Sequence, residues 1–317
     1  MNILVTGHQG FVGRHLVPSL ESQGHTVYGL DIKDGGEFDV RLDVLFAKQN
    51  NETVPLSDKK IDMVIHLAAN CSNPVSMKNP SLDFTTNALG TLKVLEYCKK
   101  DKIPILFFST CRVYADGYRE AMNGPGEYQI NYGYDGNEPH LRPPYGLSKL
   151  TAENYIILYN TLFEVPYIIL RPSTIYGPGQ DGTEEAGWIY HFINKAIEKE
   201  PITVFGDGEQ GRDVLYIDDL IALVMEMVGD FKKFNKDFYG SSINIYNVGG
   251  GFDNYVTLND VCAFLDVTPE YDKPRSPDFK IYCSNMEKLF QQTKWRPTTK
   301  WLTGINKIKK EIENGKD

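Results

Sequence analysis

Apolar residues in the first part of the chain form short continuous runs that alternate with runs of helical spacing. Ile3 to Val5 is a short apolar run, Phe11 to Leu20 repeats apolar residues every three or four positions, and Val27 to Leu30 is a second short run. Short apolar runs bounded by glycine are typical of buried strands, and the longer period is typical of an amphipathic helix. The first 30 residues therefore predict a strand, a turn, a helix and a second strand.

The same alternation continues along the chain up to residue 176. We predict strands over 63–67, 105–108 and 166–170, and helices over 88–99 and 144–163. Strands that alternate with helices favour a parallel, doubly wound sheet with helices on both of its faces. The predicted fold class is therefore α/β, with one domain over residues 1–176.

The pattern after residue 176 is less regular. Helices are predicted over 188–199 and 217–227, and a closing pair near Leu258 and Ile305. We expect residues 177–317 to form mainly a smaller C-terminal lobe, from which segments can return to the main sheet. Between residues 115 and 144, Gly, Tyr, Asn and Pro interrupt every periodic pattern, which predicts a long irregular loop of the kind that is usually functional or mobile.

Composition narrows the class of protein. The 317 residues are 41% hydrophobic and 24% charged, as in ordinary globular proteins, and no apolar run reaches the roughly 18 residues that a membrane span needs. The N-terminus lacks the regions of a secretory signal, so we expect a cytoplasmic protein. A net charge of −9 disfavours general nucleic-acid binding. Five cysteines without CxxC spacing predict neither a disulfide framework nor a metal site.

Three glycines follow the first predicted strand, in the stretch TGHQGFVG. Gly7, Gly10 and Gly13 connect a strand to a helix, and such a turn lets backbone N–H groups approach a pyrophosphate at the positive end of the helix dipole. A side chain at Gly7 or Gly10 would obstruct that approach. The GxxGxxG spacing therefore predicts a dinucleotide-binding Rossmann domain, with an ordinary tight turn as the alternative.

Asp31 ends the second predicted strand, where an acidic residue binds the adenosine ribose hydroxyls of NAD. Because its charge would repel the 2′-phosphate of NADP, NAD is the expected cofactor. An ordinary turn Asp is the alternative. Asp43, followed by Val44 in RLDV, is a candidate to accept a hydrogen bond from the adenine amino group. Alternatively, it is a solvated surface residue.

Tyr145 and Lys149 lie four residues apart in PPYGLSKLTAENY, so they share one face of the predicted helix. A phenol is a weak base at its ordinary pKa of about 10, but a nearby ammonium, or the positive ring of NAD, lowers that pKa. Tyr145 is then a candidate base for a substrate hydroxyl whose carbon gives hydride to NAD. Thr110 ends the strand in ILFFSTCRVYA, where ligands of open parallel sheets bind, and is a candidate contact for the same oxygen. Alternatively, Tyr145 and Lys149 are an ordinary surface pair, and Thr110 only caps the turn that follows the strand.

These motifs resemble the extended short-chain dehydrogenase/reductase family, in its NAD-dependent nucleotide-sugar epimerase and dehydratase branch. The likeness covers almost the whole chain through, in order, TGHQGFVG, HLAAN, TNALGTLKVLEYC, YGLSK, RPSTIYGPG, FGDGEQGRDVLYIDDL and PRSPD. It implies a Rossmann fold, NAD and a nucleoside diphosphate sugar as substrate. It also implies a homodimer formed through the helices predicted over 88–99 and 144–163.

The resemblance further implies roles for single residues. Asn87 supports the site, Arg212 binds the diphosphate of the sugar nucleotide, and Thr174 stands where relatives often have Asn. The expected site residues are catalytic Tyr145, Lys149 and Thr110; cofactor-binding Gly7, Gly10, Phe11, Val12, Gly13, Asp31, Asp43, Val44, Leu67, Ala68, Ala69, Asn87, Tyr145 and Lys149; and substrate-binding Thr110, Thr174, Arg212, Arg275 and Asp278. A surface ion pair is the alternative role of Arg275.

The two residues after Thr110 help to distinguish the dehydratases and decarboxylases of this branch from its epimerases. Dehydratases typically have Asp and Glu there, whereas this chain has Cys111 and Arg112, which cannot act as that acid and base pair. Decarboxylases also usually carry Glu at the position of Arg112. We therefore expect an epimerase, with a 4-epimerase as first choice. A 2-epimerase, a keto-sugar reductase, a 4,6-dehydratase and a non-catalytic NAD-sensing scaffold are the alternatives.

Overall fold

The computed structural model describes residues 1–34, 46–49, 52–114, 142–182, 187–235, 244–274 and 280–314. Its strands are β1 (Asn2–Thr6), β2 (Thr26–Leu30), β3 (Phe46–Gln49), β4 (Glu52–Pro55), β5 (Met63–His66), β6 (Ile105–Phe108), β7 (Tyr167–Pro172), β8 (Thr174–Tyr176), β9 (Thr203–Phe205), β10 (Gly211–Tyr216), β11 (Ile245–Val248), β12 (Tyr255–Thr257), β13 (Glu270–Asp272) and β14 (Ile281–Tyr282).

The helices are α1 (Phe11–Ser22), α2 (Asn73–Lys78), α3 (Pro80–Asp83), α4 (Gly90–Lys99), α5 (Pro144–Phe163), α6 (Trp188–Glu198), α7 (Ile217–Gly229), α8 (Phe231–Phe234), α9 (Leu258–Phe264), α10 (Glu287–Gln292) and α11 (Trp301–Asn314). A π-helical turn, Phe84–Leu89, connects α3 to α4.

Within the described part of the chain, eight strands form the main sheet in the order β11-β7-β6-β5-β1-β2-β3-β4. The strands from β11 to β2 run parallel, and β3 and β4 add an antiparallel hairpin at one edge. The predicted parallel α/β sheet is therefore confirmed. After β2 the chain passes to β5 on the other side of β1, so the strand order reverses between β1 and β5. In open α/β sheets, ligands bind beyond the strand ends at such a reversal.

Alternate residues of the central strands pack on opposite faces of the sheet. Ile3 and Val5 of β1 pack on one face with α1 and α7, whereas Leu4 packs on the other face with α4 and α5. In β6, Leu106 packs on the same face as Ile3, and Phe107 packs on the same face as Leu4. Because parallel strands are covered on both faces, they read as continuous apolar runs rather than as alternating ones.

A smaller sheet lies beyond the main one: β10 pairs with β8, β12 and β14, and β9 pairs separately with β13. Although β11 lies between β10 and β12 in the sequence, it pairs with β7, from Ile245 opposite Ile169 to Val248 opposite Pro172. A segment of the C-terminal part therefore belongs to the main sheet. The division of the chain at residue 176 stays a prediction.

Several predicted elements differ in detail from the observed ones. The helix predicted to begin at residue 88 begins as α4 at Gly90, because the residues before it form the π-helical turn. The strand predicted over 166–170 runs from Tyr167 to Pro172. Residues 115–141 of the predicted irregular loop lie outside the described residues.

His66 connects β1, β5 and α4 from a fully buried position at the end of β5. Its Nδ1 lies 2.6 Å from Thr6 Oγ1, and its Nε2 lies 3.0 Å from Thr91 Oγ1. Because the Thr91 hydroxyl donates to the Asn87 carbonyl, at 2.6 Å, His66 Nε2 carries the proton and Nδ1 accepts from Thr6. Burial, and then the charge of Lys149, lower the pKa of His66 from 6.5 to about 3. The folded protein therefore keeps this imidazole neutral.

This arrangement predicts how stability depends on pH. In the unfolded chain His66 takes a proton near its ordinary pKa of 6.5, but in the folded chain only near 3, so the unfolded state binds more protons between these values. The stability that wild type gains over His66→Asn should therefore be present above pH 6.5 and shrink as the pH falls towards 4.5. Urea unfolding of both proteins across this range tests it. A stability difference that does not change with pH would contradict the assignment.

Candidate active site

The glycine turn packs closely against the segment that follows β5. Gly7 has φ +72°, and its N–H donates to the Leu30 carbonyl at 2.7 Å. A Cβ on Gly7 would lie 2.7 Å from the backbone nitrogen of Ala68, and a Cβ on Gly13 would lie 2.4 Å from the His8 carbonyl oxygen. Only glycine fits these positions without moving the backbone.

The turn leads directly into α1. Gly10 precedes the helix without a side-chain cap, and the first turn carries no acidic side chain. Phe11 and Val12 begin the helix and pack partly against the core. Since the first N–H groups of a helix have no partner within it, and the helix dipole is positive there, this end is suited to an anion such as a pyrophosphate.

Asp31 lies beside the glycine turn, directly after β2, and is only 6% exposed. Its Oδ2 accepts the Gln9 N–H and its Oδ1 accepts the Lys33 N–H, both at 3.1 Å. Each carboxylate oxygen can accept more than one hydrogen bond, so the group can also accept ribose hydroxyls. The predicted Asp43 and Val44 lie outside the described residues.

The segment after β5 connects the glycine turn to helix α5. The Leu67 N–H donates to the Thr6 carbonyl at 3.1 Å and the Ala68 N–H to Thr6 Oγ1 at 3.3 Å, with Ala69 next in the chain. Asn70 then exchanges two hydrogen bonds with the Asn87 side chain, at 2.9 and 3.0 Å.

Asn87 occupies the π-helical turn, a local widening of the helix that often lies at functional sites. It is buried, and its Nδ2 donates to Ser148 Oγ of α5 at 2.9 Å. The Ser148 hydroxyl in turn donates to the Tyr145 carbonyl at 2.8 Å. Asn87 thus fixes the first turn of α5 relative to the segment beside the glycines.

A second group of polar residues, which the sequence did not predict, supports the start of α5. The Tyr145 N–H donates to Ser76 Oγ at 2.7 Å, and Ser76 hydrogen-bonds the buried carboxylate of Asp83. Asp83 also accepts from Asn70 Nδ2 at 2.6 Å. Ser76 therefore accepts a hydrogen bond from an N–H in the first turn of α5, as an N-cap side chain would.

The side chains of Thr110 and Tyr145 meet at the carboxyl end of β6, and both are buried. Burial raises the pKa of the Tyr145 hydroxyl above its ordinary value, while the hydrogen bond with Thr110 and the positive charge of Arg112 act in the opposite direction. The net shift is upward, which differs from the lowered pKa that the sequence predicts. The described protein groups alone therefore do not make Tyr145 a phenolate at neutral pH.

Lys149 lies one helical turn after Tyr145 and is 1% exposed. Its Nζ lies 4.1 Å from the centre of the Phe107 ring. Burial lowers the Lys149 pKa from 10.5 to about 7, against the opposing charge of Glu153. Lys149 can therefore gain or lose a proton near neutral pH.

Behind these residues lies a buried ion pair between Glu153, one turn further along α5, and Arg171 of β7. Arg171 Nε donates to Glu153 Oε1 at 3.0 Å, and Arg171 Nη1 donates to the Tyr114 hydroxyl at 3.0 Å. The Ser109 hydroxyl also donates to Glu153. The sequence signal for Glu153 is its spacing of four residues from Lys149, and no comparable local signal identifies Arg171 as its partner.

Arg212 of β10, which the sequence predicts as a substrate contact, is 7% exposed, and the predicted Thr174 begins the neighbouring strand β8. Burial raises the pKa of the Cys111 thiol, and the charges of Arg112 and Arg212 oppose that rise. Arg212 therefore lies within electrostatic reach of Cys111, the residue after Thr110. Arg275 and Asp278 lie outside the described residues.

The model of the NAD dependent epimerase/dehydratase family matches residues 3–249. The chain belongs to this family. It is 33% identical, over 326 residues and 98% of both chains, to a putative UDP-glucose 4-epimerase of Methanocaldococcus jannaschii. It is 28% identical to the CDP-paratose 2-epimerase of Salmonella typhi, over 97% of this chain and 98% of that one.

Among solved structures, the family member UDP-glucuronic acid 4-epimerase of Bacillus cereus, in complex with UDP-glucuronic acid and NAD, matches with a TM-score of 0.78 and 27% identity over 99% of each chain. These comparisons confirm the predicted family, the NAD cofactor and an enzyme of nucleotide-sugar chemistry. Among the helices of the described residues, none combines the length and the apolar character that crossing a bilayer requires.

The buried ion pair predicts a large effect on stability. Arg171→Met leaves the Glu153 carboxylate buried without its partner, which should lower the free energy of unfolding by about 3–5 kcal/mol. The double variant Glu153→Gln with Arg171→Met carries no buried charge there, so it should be more stable than Arg171→Met alone. Urea unfolding at pH 7.5 measures both. A loss below about 1 kcal/mol for the single variant would contradict this account.

Proposed function

We propose that this chain is an NAD-dependent epimerase of a nucleoside diphosphate sugar, with C4 of the sugar as the inverted centre. The observation that carries the proposal is the continuous contact from the glycine turn, through the segment over 67–70 and Asn87, to Tyr145. This contact supports the proposal that Tyr145, with Thr110 and Lys149 near it, lies beside the bound dinucleotide. The 4-epimerases among the relatives and the solved structures support it.

The described residues fit a dinucleotide at three points. The turn at Gly7 has no room for a side chain, the start of α1 offers N–H groups to a pyrophosphate, and Asp31 offers oxygens to ribose hydroxyls. We assign these roles to Gly7, Gly10, Phe11, Val12, Gly13 and Asp31. We also assign cofactor contacts to Leu67, Ala68 and Ala69, in the segment that packs against Gly7, and to Asn87, which is hydrogen-bonded to that segment.

In the proposed mechanism Tyr145 takes the proton of the sugar hydroxyl, and Thr110 holds the same oxygen. When bound, NAD would supply first the acceptor and then the donor of the hydride, together with a positive charge that lowers the pKa of the Tyr145 hydroxyl. Lys149, with a pKa of about 7, can pass the proton onward or return it at neutral pH. Tyr145 and Thr110 would hold the same oxygen while the keto sugar turns its other face, so that the configuration would be inverted without net redox change.

Arg212 is proposed to bind the diphosphate, because a guanidinium makes paired hydrogen bonds to phosphate oxygens. Thr174 is proposed to contact the sugar from the neighbouring strand. We also assign the substrate roles of Arg275 and Asp278, and the cofactor roles of Asp43 and Val44, on family likeness alone. The predicted cytoplasmic location stays a prediction.

A 2-epimerase is the second candidate, and the likeness to CDP-paratose 2-epimerase supports it. Inversion at C2 would use the same Tyr145 and Thr110 with the sugar in another orientation. A dehydratase is disfavoured because Cys111 and Arg112 occupy the positions of its acid and base. A keto-sugar reductase would consume NADH or NADPH from solution, whereas an epimerase would not.

Replacement of Tyr145 by Phe tests the mechanism. Wild type, incubated with UDP-, GDP-, CDP- and dTDP-sugars in turn, should convert one of them into an epimer with no net change in NADH, as followed by NMR and absorbance. Tyr145→Phe should lower kcat by about 10²–10⁴ without releasing the cofactor, since the acid–base group is lost. Tyr271→Phe on β13, 57% exposed and outside the candidate site, is the control for loss of a tyrosine hydroxyl. Full turnover by Tyr145→Phe would refute the mechanism.

We also propose a homodimer formed through α4 and α5. Four large apolar side chains on one side of α5 are exposed: Leu147, Tyr155, Leu158 and Leu162. Phe84, on the π-helical turn that packs against α5, is 59% exposed. A face of this kind is suited to a second copy of the chain, because a two-fold axis brings the same helices together.

The dimer is tested by light scattering after gel filtration. Wild type should elute as a dimer, and Leu158→Glu should elute as a monomer because the charge cannot be buried at the interface. Leu302→Glu on α11, at a site 41% exposed and away from this face, should remain dimeric. A monomeric wild type would contradict the proposal.

A further inference from the structure

Residues 177–182, which we call the strap, run from the end of β8 towards α6 and cross the second turn of α1. Arg14 Nη2 donates to the Gly179 carbonyl at 2.8 Å, and His15 Nε2 lies 3.0 Å from the Pro178 carbonyl oxygen, to which it donates. Arg14 also lies 3.6 Å from the Asp181 carboxylate. Two neighbouring side chains of α1 therefore hold the backbone of the strap.

The strap also closes over the first residue of α1. A Cβ on Gly177 would lie 3.4 Å from Phe11 Cζ and 2.4 Å from a methyl carbon of Ile217, so this part of the strap is packed tightly. The ring of His15 meets the Phe11 ring edge to face, with 5.4 Å between centroids. Phe11 is thus held between the strap and His15.

Other contacts fix the far side of the strap. The Gly179 N–H donates to Glu311 of α11 at 3.3 Å, and Gln180 Nε2 donates to the Ile175 carbonyl of β8 at 3.2 Å. The strap therefore connects α1 with α11 and with the strand that begins at Thr174. Since Asp181 is 82% exposed, its ion pair with Arg14 contributes little, and the hydrogen bonds to carbonyl groups contribute more.

We infer that Arg14 and His15 are cofactor-retention residues, which slow the release of NAD by tying the strap across α1. The inference rests on the proposed function, in which the start of α1 holds the pyrophosphate. An epimerase must keep the same cofactor between removal and return of the hydride. A strap that holds Phe11 and the first turn of α1 in place restricts the opening through which the dinucleotide would leave.

The rate of NAD release tests the inference directly. The protein loaded with NAD is diluted into buffer with an NAD-consuming enzyme, and the bound NAD is separated by rapid gel filtration and quantified over time. Arg14→Met with His15→Phe keeps an unbranched stem at the first position and an aromatic ring at the second but removes both hydrogen bonds. This double variant should release NAD about tenfold faster, since each lost hydrogen bond contributes a few-fold.

Two controls test whether faster NAD release comes from the lost hydrogen bonds of the strap. One tests the effect of the Arg14 charge, and the other tests the effect of removing any surface cation. Arg14 could instead act through its charge on the pyrophosphate, so release is measured at low and at high salt; an effect of the strap persists where charge is screened. Lys102→Met removes the exposed ion pair with Glu164 at a distant site and should not change the release rate. His15→Phe alone should give part of the effect with an unchanged thermal midpoint.

The outcomes are distinguishable. Unchanged release from the folded double variant, or an effect that disappears at high salt, would overturn the role of the strap and leave the proposed epimerase intact. Failure of wild type to bind NAD would overturn both.

Discussion

Backbone packs directly against backbone where Gly7 meets Ala68, and the arrangement of the whole candidate site depends on this contact. Because no side chain separates them, the glycine turn and the segment after β5 approach closely at the point where the strand order reverses. That segment is then fixed on its other side by Asn87. The glycine turn and helix α5 are therefore joined by one close backbone contact and by the hydrogen bonds of Asn87.

Helix α5 carries three buried ionisable groups at successive turns on one face. Tyr145 faces Thr110, Lys149 lies under the site with a strongly lowered pKa, and Glu153 neutralises Arg171 in the interior. Burial shifts the pKa of the first two groups in the direction that favours their neutral forms. Because Tyr145 is buried, a positive ring placed close to it would act on it more strongly than in water.

Elements determined by local pattern are predictable from the sequence. Strand β6 and helix α5 have the predicted bounds. The first is a continuous apolar run that follows Pro104, and the second begins at Pro144 and ends shortly before Pro166. The hairpin of β3 and β4 and the π-helical turn are not predictable in this way, because an edge hairpin depends on its neighbour in the sheet and the turn depends on what Asn87 contacts. The residues Tyr145, Lys149 and Thr110 stand out by motif. The partnership of Glu153 with Arg171, and that of Ser76 with Asp83, arises only when distant segments meet.

The return of β11 to the main sheet has a consequence for how this protein can be divided. Strand β7 is paired on both sides only because a segment from far downstream completes the sheet beside it. A fragment that stopped after β8 would expose the unpaired N–H and C=O groups of β7 as an open edge, the kind of surface on which other chains assemble. The main sheet is therefore complete only when residues from both sides of position 176 are present.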